Sequence, residues 1–144
     1  KTHWMWFIFP QITGLGHSSM AQKYAISCRS EAEAYLRHPV LGMRLLEITE
    51  ELLQHEGLTA FDIFGSPDDL KLRSCMTLFS SISEEGNIFE RVLVKYFNGQ
   101  PCQFTLAAVA KKYPPTDNNP RRNRNTIFLS SIPSGIFLNI FIQP

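Results

Sequence analysis

The sequence is poor in the features that mark metal-bound and disulfide-rich proteins. It has three cysteines, Cys28, Cys75 and Cys102, which lie far apart and form no C-x-x-C pair. Such an odd, scattered set argues against a disulfide scaffold and indicates reduced thiols in an intracellular, cytoplasmic setting. The four histidines, at positions 3, 17, 38 and 55, never stand four residues apart. No metal site and no cofactor are therefore expected.

Neither charge nor hydrophobicity is concentrated enough to indicate a nucleic-acid or membrane partner. The formal net charge is +1, which gives no electrostatic reason to expect nucleic acid or an acidic membrane surface. No uninterrupted apolar run reaches the length of a membrane span. The chain is 44% hydrophobic and 19% charged, which is typical of a globular domain with its own core. Nothing in the sequence sets the oligomeric state.

Helical signals, by contrast, are frequent. The clearest helix is predicted from Pro39 to His55, where the apolar residues follow spacings of four, three and four and so share one face. These residues are Leu41, Leu45, Ile48 and Leu52.

A second helix is predicted to begin at Ser66-Pro67-Asp68-Asp69, because serine caps helices and acids favour their first turn. Its apolar stripe consists of Leu72, Met76 and Phe79. No alternating run of β-branched residues precedes position 125. The predicted fold is therefore all-α, a compact bundle of several short helices.

The composition changes at Tyr113. Residues 114–120 have a linker composition, and residues 126–144 are apolar but interrupted by Pro133 and Gly135. We expect a helical domain over residues 1–112, followed over 113–144 by a linker and an unrelated or disordered, irregular tail. The chain begins without methionine inside an apolar stretch, so we also expect a fragment that lacks an N-terminal helix.

An aromatic segment opens the chain and indicates where a site would lie. Two tryptophans and two phenylalanines fall between Trp4 and Phe9. Aromatic walls with a few polar groups are the usual composition of a small-molecule pocket, although such segments also form ordinary core. Trp4, Trp6 and Tyr24 would form the walls of this pocket. Its polar contacts would come from His3, Gln11, Ser18, Asp68, Lys71, Ser74 and Thr77.

Two regions that contain these polar residues suggest a binding site for an anion. Lys71, Ser74 and Thr77 are spaced three residues apart on a predicted helix, so they share a face that can hold a phosphate. The loop before Ser18 contains Gly14 and Gly16 and leads into a helix N-terminus, where free N–H groups attract anions. The structural alternatives are a solvated helix face and a simple capped turn.

The longest motifs of the sequence stand at residues 3–11, 14–18, 38–42, 64–74 and 76–79. With these motifs the chain resembles domain-of-unknown-function family 1810 over about residues 1–110. The resemblance implies a small, mainly helical intracellular domain with no established activity, whose members carry one further helix ahead of residue 1. The sequence departs from the family at Cys75, where serine is usual, at Gln103, where aspartate is expected, and entirely after Lys112. Residues 20–24 and 31–34 are faintly similar to the NADAR family of N-glycosidases, from which no catalytic residue is carried over.

Three functions stay open at this point. The leading hypothesis is binding of a small phosphate-bearing or nucleotide-like ligand in the aromatic pocket, with or without catalysis. The enzyme alternative is hydrolysis of an N-glycosidic or phosphorylated bond, with Asp68 or His3 as the acid or base. The third is a protein-interaction module whose aromatic segment docks on a partner.

Overall fold

The structure, a computed structural model, describes residues 4–112. Over this range the chain forms eight helices and no extended strand, which confirms the all-α prediction. In chain order they are α1 (Met5–Ile8), α2 (Ser19–Tyr24), α3 (Arg29–Arg37), α4 (Leu41–Gln54), α5 (Ala60–Phe64), α6 (Asp68–Ile82), α7 (Ile88–Phe97) and α8 (Gln103–Lys112). His3 and the predicted linker and tail over 113–144 lie outside the described residues.

Helix α6 is the central element of the core and packs against α3, α5, α7 and α8. Its predicted apolar stripe, Leu72, Met76 and Phe79, is fully buried. Each side chain of this size contributes roughly 1.5–3 kcal/mol when it leaves water. The helix begins at Asp68, and Pro67 rather than Ser66 occupies the capping position. The predicted serine cap is therefore wrong.

Helix α4 packs against α3 and α7. Leu45 and Leu52 of its predicted stripe are buried, whereas Leu41, the first helical residue, is exposed. The C-terminal end of α4 is held by α7: the Tyr96 hydroxyl donates to the Leu52 carbonyl at 2.5 Å, and the Lys95 ammonium donates to the Leu53 carbonyl at 2.6 Å. The outer face of α4 is thus left uncovered by these contacts.

The corner between α3 and α4 depends on a glycine. A Cβ atom added to Gly42 would lie 1.9 Å from the backbone carbonyl oxygen of Leu36, far inside van der Waals contact. Only glycine allows the two helices to approach this closely.

A short backbone pairing connects the loop after α1 to the segment before α3. Ile12 and Ile26 form an isolated parallel bridge. In it Ile26 N donates to the Gln11 carbonyl at 2.8 Å, and Thr13 N donates to the Ile26 carbonyl at 3.0 Å. The bridge fixes the position of Gln11 relative to the core.

Candidate functional site

The two faces of α1 differ sharply in exposure. Met5 and Trp6 are buried. The Trp6 indole packs so closely on the following loop that a Cβ added to Gly16 would lie 2.9 Å from Trp6 Cζ2 and 2.7 Å from the Ala21 Cβ. Trp6 is therefore a core residue.

The other side of α1 and the end of α2 form an exposed aromatic surface, which we define as Trp4, Phe7, Ile8 and Tyr24. These side chains are 38%, 52%, 38% and 39% exposed, respectively. Phe7 and Tyr24 meet edge to face with ring centroids 4.8 Å apart. At about 200 Å² for a fully exposed large side chain, the surface amounts to roughly 300 Å², within the range of apolar patches that carry function.

A cation stands beside the aromatic surface. The Lys23 ammonium lies 5.4 Å from the centroid of the Tyr24 ring. The sequence contains no aspartate or glutamate before Glu31. The carboxylate of Glu31 accepts hydrogen bonds from Ser27, at 2.8 Å from its N–H and 2.6 Å from its hydroxyl. The Lys23 ammonium is therefore a charged group that lies against the aromatic surface.

Gln11 is a structural bridge. Its side chain is fully buried, and Nε2 donates to the carbonyls of Phe9 at 2.7 Å and Lys71 at 2.8 Å. Since both partners are acceptors, the amide nitrogen must face them. Oε1 has no hydrogen-bond partner among the described residues and is closed off from solvent, so a ligand can reach it only if the surrounding side chains move. Gln11 thus connects the N-terminal loop to α6.

The predicted anion-binding charge is already paired. Lys71 Nζ lies 2.6 Å from Asp68 Oδ1 within the first turns of α6. Both side chains are partly exposed, and surface pairs of this kind contribute little to stability, typically about 0–1 kcal/mol. An incoming phosphate would compete with Asp68 for Lys71.

The predicted hydroxyls of α6 face α8 and the segment before it. Ser74 Oγ lies 2.7 Å from Thr105 Oγ1 in a buried hydrogen bond. Thr77 Oγ1 donates to the Arg73 carbonyl at 2.7 Å and accepts from Cys102 N at 2.8 Å. These bonds explain why hydroxyl side chains occupy helix-interior positions that intrinsic propensity would give to Ala or Leu.

Ser18 is a helix cap, in agreement with the capped-turn alternative. Its Oγ accepts from Ala21 N at 3.1 Å and begins α2. Of the described candidate residues, Trp4 and Tyr24 therefore lie on the exposed aromatic surface. Asp68 and Lys71 pair on α6, the exposed Ser18 caps α2, and Trp6, Gln11, Ser74 and Thr77 are buried in the domain. The i, i+3, i+4 spacing of Trp4, Phe7 and Ile8 was the sequence signal that could have revealed the exposed face.

Two thiols lie in opposite environments. The pKa of the Cys28 thiol is lowered, first by a hydrogen bond with Ser30 and then by the Glu31 backbone and Ser27. Burial raises the pKa of Cys75 well above its ordinary value.

Among residues 4–112 no group of three His, Cys, Asp or Glu side chains is arranged to hold a metal. In the same range no helix combines the length and apolar composition needed to cross a bilayer.

These features define a small all-helical domain with an exposed aromatic surface. Residues 1–109 match the family described as Protein of unknown function (DUF1810), and the chain belongs to that family. The chain is similar to the conserved hypothetical protein Rv1873 from Mycobacterium tuberculosis, whose crystal structure was determined at 1.38 Å, with 47% identity and a TM-score of 0.73. The match covers 76% of this chain and 79% of that chain. No curated protein matches the chain.

Proposed function

We propose that this domain is a protein-interaction module that binds an apolar, acidic segment of a partner protein on its aromatic surface. The observation that carries the proposal is the contiguous exposure of Trp4, Phe7, Ile8 and Tyr24 on one side of the molecule. Aromatic side chains are the commonest anchors of protein interfaces, because they bury a large area at a small cost in conformational entropy.

The shape and charge of the surface favour a segment with helical spacing. Trp4, Phe7 and Ile8 form a ridge at i, i+3 and i+4, which is complementary to an amphipathic helix that presents its own apolar ridge. Lys23 stands beside Tyr24, and no carboxylate occurs before Glu31 in the sequence. An acidic residue of the partner segment beside Tyr24 would therefore meet a cation.

The competing small-ligand hypothesis has less support. Lys71 is paired with Asp68, and the hydroxyls of Ser74 and Thr77 are buried in hydrogen bonds to other parts of the domain. A phosphate would have to break these contacts. Small-molecule sites are generally concave, whereas the aromatic surface is the outside of a short helix. A nucleotide-like ligand could still stack on Trp4 or Tyr24 with its phosphate near Lys23. Under the hydrolase alternative, the domain would cleave a bond of such a ligand.

The test is selection of binding peptides from a library of amphipathic helices with variable charge. Peptides enriched on the wild-type protein should carry apolar residues at i and i+3 or i+4 with flanking acids. Their affinity, measured by fluorescence anisotropy, should fall at least tenfold (about 1.4 kcal/mol) in Phe7→Ser and a few-fold in Lys23→Ala. The matched control is Val94→Ser, because Val94 is a similarly exposed apolar residue on α7.

Two results would contradict the interaction proposal. One is the failure of the library to yield any peptide whose binding depends on Phe7. The other is a thermal shift with nucleotides, ADP-ribose derivatives or sugar phosphates that disappears in Trp4→Ala and Lys71→Ala. The second result would favour the small-ligand hypothesis, and turnover of the active compound would then test the hydrolase alternative.

A further inference from the structure

A second exposed apolar region lies on α4. Its outer stripe, which we define as Val40, Met43, Arg44 and Glu47, follows the helical spacing i, i+3, i+4 and i+7. Val40 is 47% and Met43 58% exposed. Together with Pro39, the four side chains line a shallow depression with a volume of about 220 Å³. The buried residues of the same helix, including Leu45, Thr49 and Leu52, face the other way.

The outer stripe carries both signs of charge in a fixed order. Arg44 precedes Glu47 by one turn, and Glu50 and Glu51 follow. Within residues 4–112 the ion pairs are Arg29–Glu33 and Lys71–Asp68, so neither Arg44 nor Glu47 has an ionic partner in that range. The stripe therefore combines exposed apolar side chains with unpaired charges of opposite sign.

We propose that the outer stripe of α4 is the interface of a homodimer, in which two copies of α4 pack antiparallel about a two-fold axis. A helix whose positive charge precedes its negative charge is complementary to a reversed copy of itself. An antiparallel pair that crosses between positions 44 and 47 brings Arg44 of each copy beside Glu47 of the other. In this register the two Met43 side chains come near the axis, and Val40 of each copy lies opposite Glu51 of the other. An isologous interface requires this kind of self-complementarity.

The order of the charges makes the stripe complementary to a second copy only when that copy runs antiparallel. A parallel copy would place Arg44 beside Arg44 and Glu47 beside Glu47, which is repulsive. The contact area is one helical stripe, smaller than the roughly 800 Å² per partner of a standard interface. The dimer should therefore be weak and reversible, with a dissociation constant on the order of 10–100 μM.

Sedimentation equilibrium of the full chain over a range of concentrations tests this proposal by charge reversal. Arg44→Glu and Glu47→Arg each bring like charges together, so each should weaken the dimer at least tenfold. The double variant Arg44→Glu/Glu47→Arg restores opposite charges across the two-fold axis and should return the dissociation constant to within about threefold of the wild type. The matched control is Arg91→Glu, an exposed reversal on α7 that should change nothing.

Each variant should remain folded, because all substituted side chains are exposed, and circular dichroism checks this. A wild-type chain that stays monomeric at the highest concentration overturns the proposal, as does a dimer that neither single reversal weakens. A double variant whose dissociation constant does not return toward the wild-type value also overturns the proposal. Phe7→Ser separates this interface from the aromatic surface: the dimer should be unchanged, and its loss in that variant alone would assign self-association to the aromatic surface instead.

Discussion

Helix α6 and the short helix α1 distribute polar and apolar side chains in opposite ways. On α6 the hydroxyls of Ser74 and Thr77 are buried, whereas on α1 the rings of Trp4 and Phe7 are exposed. The hydroxyls can be buried because Thr105 and Cys102 supply hydrogen-bond partners. The rings remain outside because the other side of α1 already fills the space next to Gly16 and Ala21. The side chain's available partners, more than its polarity, decide its place in this domain.

The largest loss of stability is expected for a substitution at Gln11, the buried polar residue that faces two carbonyl oxygens. Gln11→Glu places a carboxyl group there, and at neutral pH its charged form should destabilise the domain by about 3–5 kcal/mol. Burial raises the folded-state pKa of such a carboxyl above its unfolded value of about 4.3. The variant should therefore be most stable below that unfolded pKa and lose stability as the pH rises. Urea denaturation at pH 4 and pH 7 measures the difference, and a variant equally stable at both would show that the site is not sealed.

Thr77→Val should have the next largest effect. It keeps the side-chain volume but leaves the Cys102 N–H without its acceptor, which costs about 1–3 kcal/mol when the group is buried. Chemical denaturation gives the change in the free energy of unfolding. A matched control is Thr59→Val on the exposed cap of α5, where water can replace the lost bond to Asp62. A smaller loss at Thr77 than at Thr59 would contradict the role assigned to the buried hydroxyl.

A double-mutant cycle on Ser74 and Thr105 measures the interaction between their two buried hydroxyls. Ser74→Ala and Thr105→Val should each cost about 1–2 kcal/mol, because each leaves one buried hydroxyl unpaired. The double variant should cost less than the sum, since removing both partners leaves no unpaired group. Strict additivity would mean that the two hydroxyls do not interact in solution.

The smallest effect is expected on the aromatic surface. Phe7→Ser removes a whole ring but only a partly exposed one, with its edge contact to Tyr24 as the main loss. The change in the free energy of unfolding should be about 1 kcal/mol or less. The same substitution at Phe79, which is fully buried, should prevent folding or cost several times more. A loss above about 3 kcal/mol at Phe7 would mean that this ring belongs to the core.

The sequence predicts the helical class, whereas the environment of each candidate site residue depends on contacts that no local pattern reveals. The stripe of Leu72, Met76 and Phe79 is a local pattern, and burial follows directly from its spacing. The roles of Ser74 and Thr77 depend on partners 31 and 25 residues away along the chain, which no local pattern reveals. They were therefore predicted as ligand contacts. The aromatic content of α1 was evident, but which of its faces looks outward is set by packing on Gly16 and Ala21.

The close approach at Gly42 also determines how freely this region of the sequence can vary. Because a Cβ atom there would collide with the Leu36 carbonyl, a library that samples all amino acids at position 42 should return glycine alone among folded variants. Its neighbours Leu41 and Met43 are exposed and should accept many residue types without loss of fold. One invariant position between two permissive ones is the mutational signature of a corner held by backbone contact. It leaves the adjoining surface of α4 free to change in sequence while the fold stays the same.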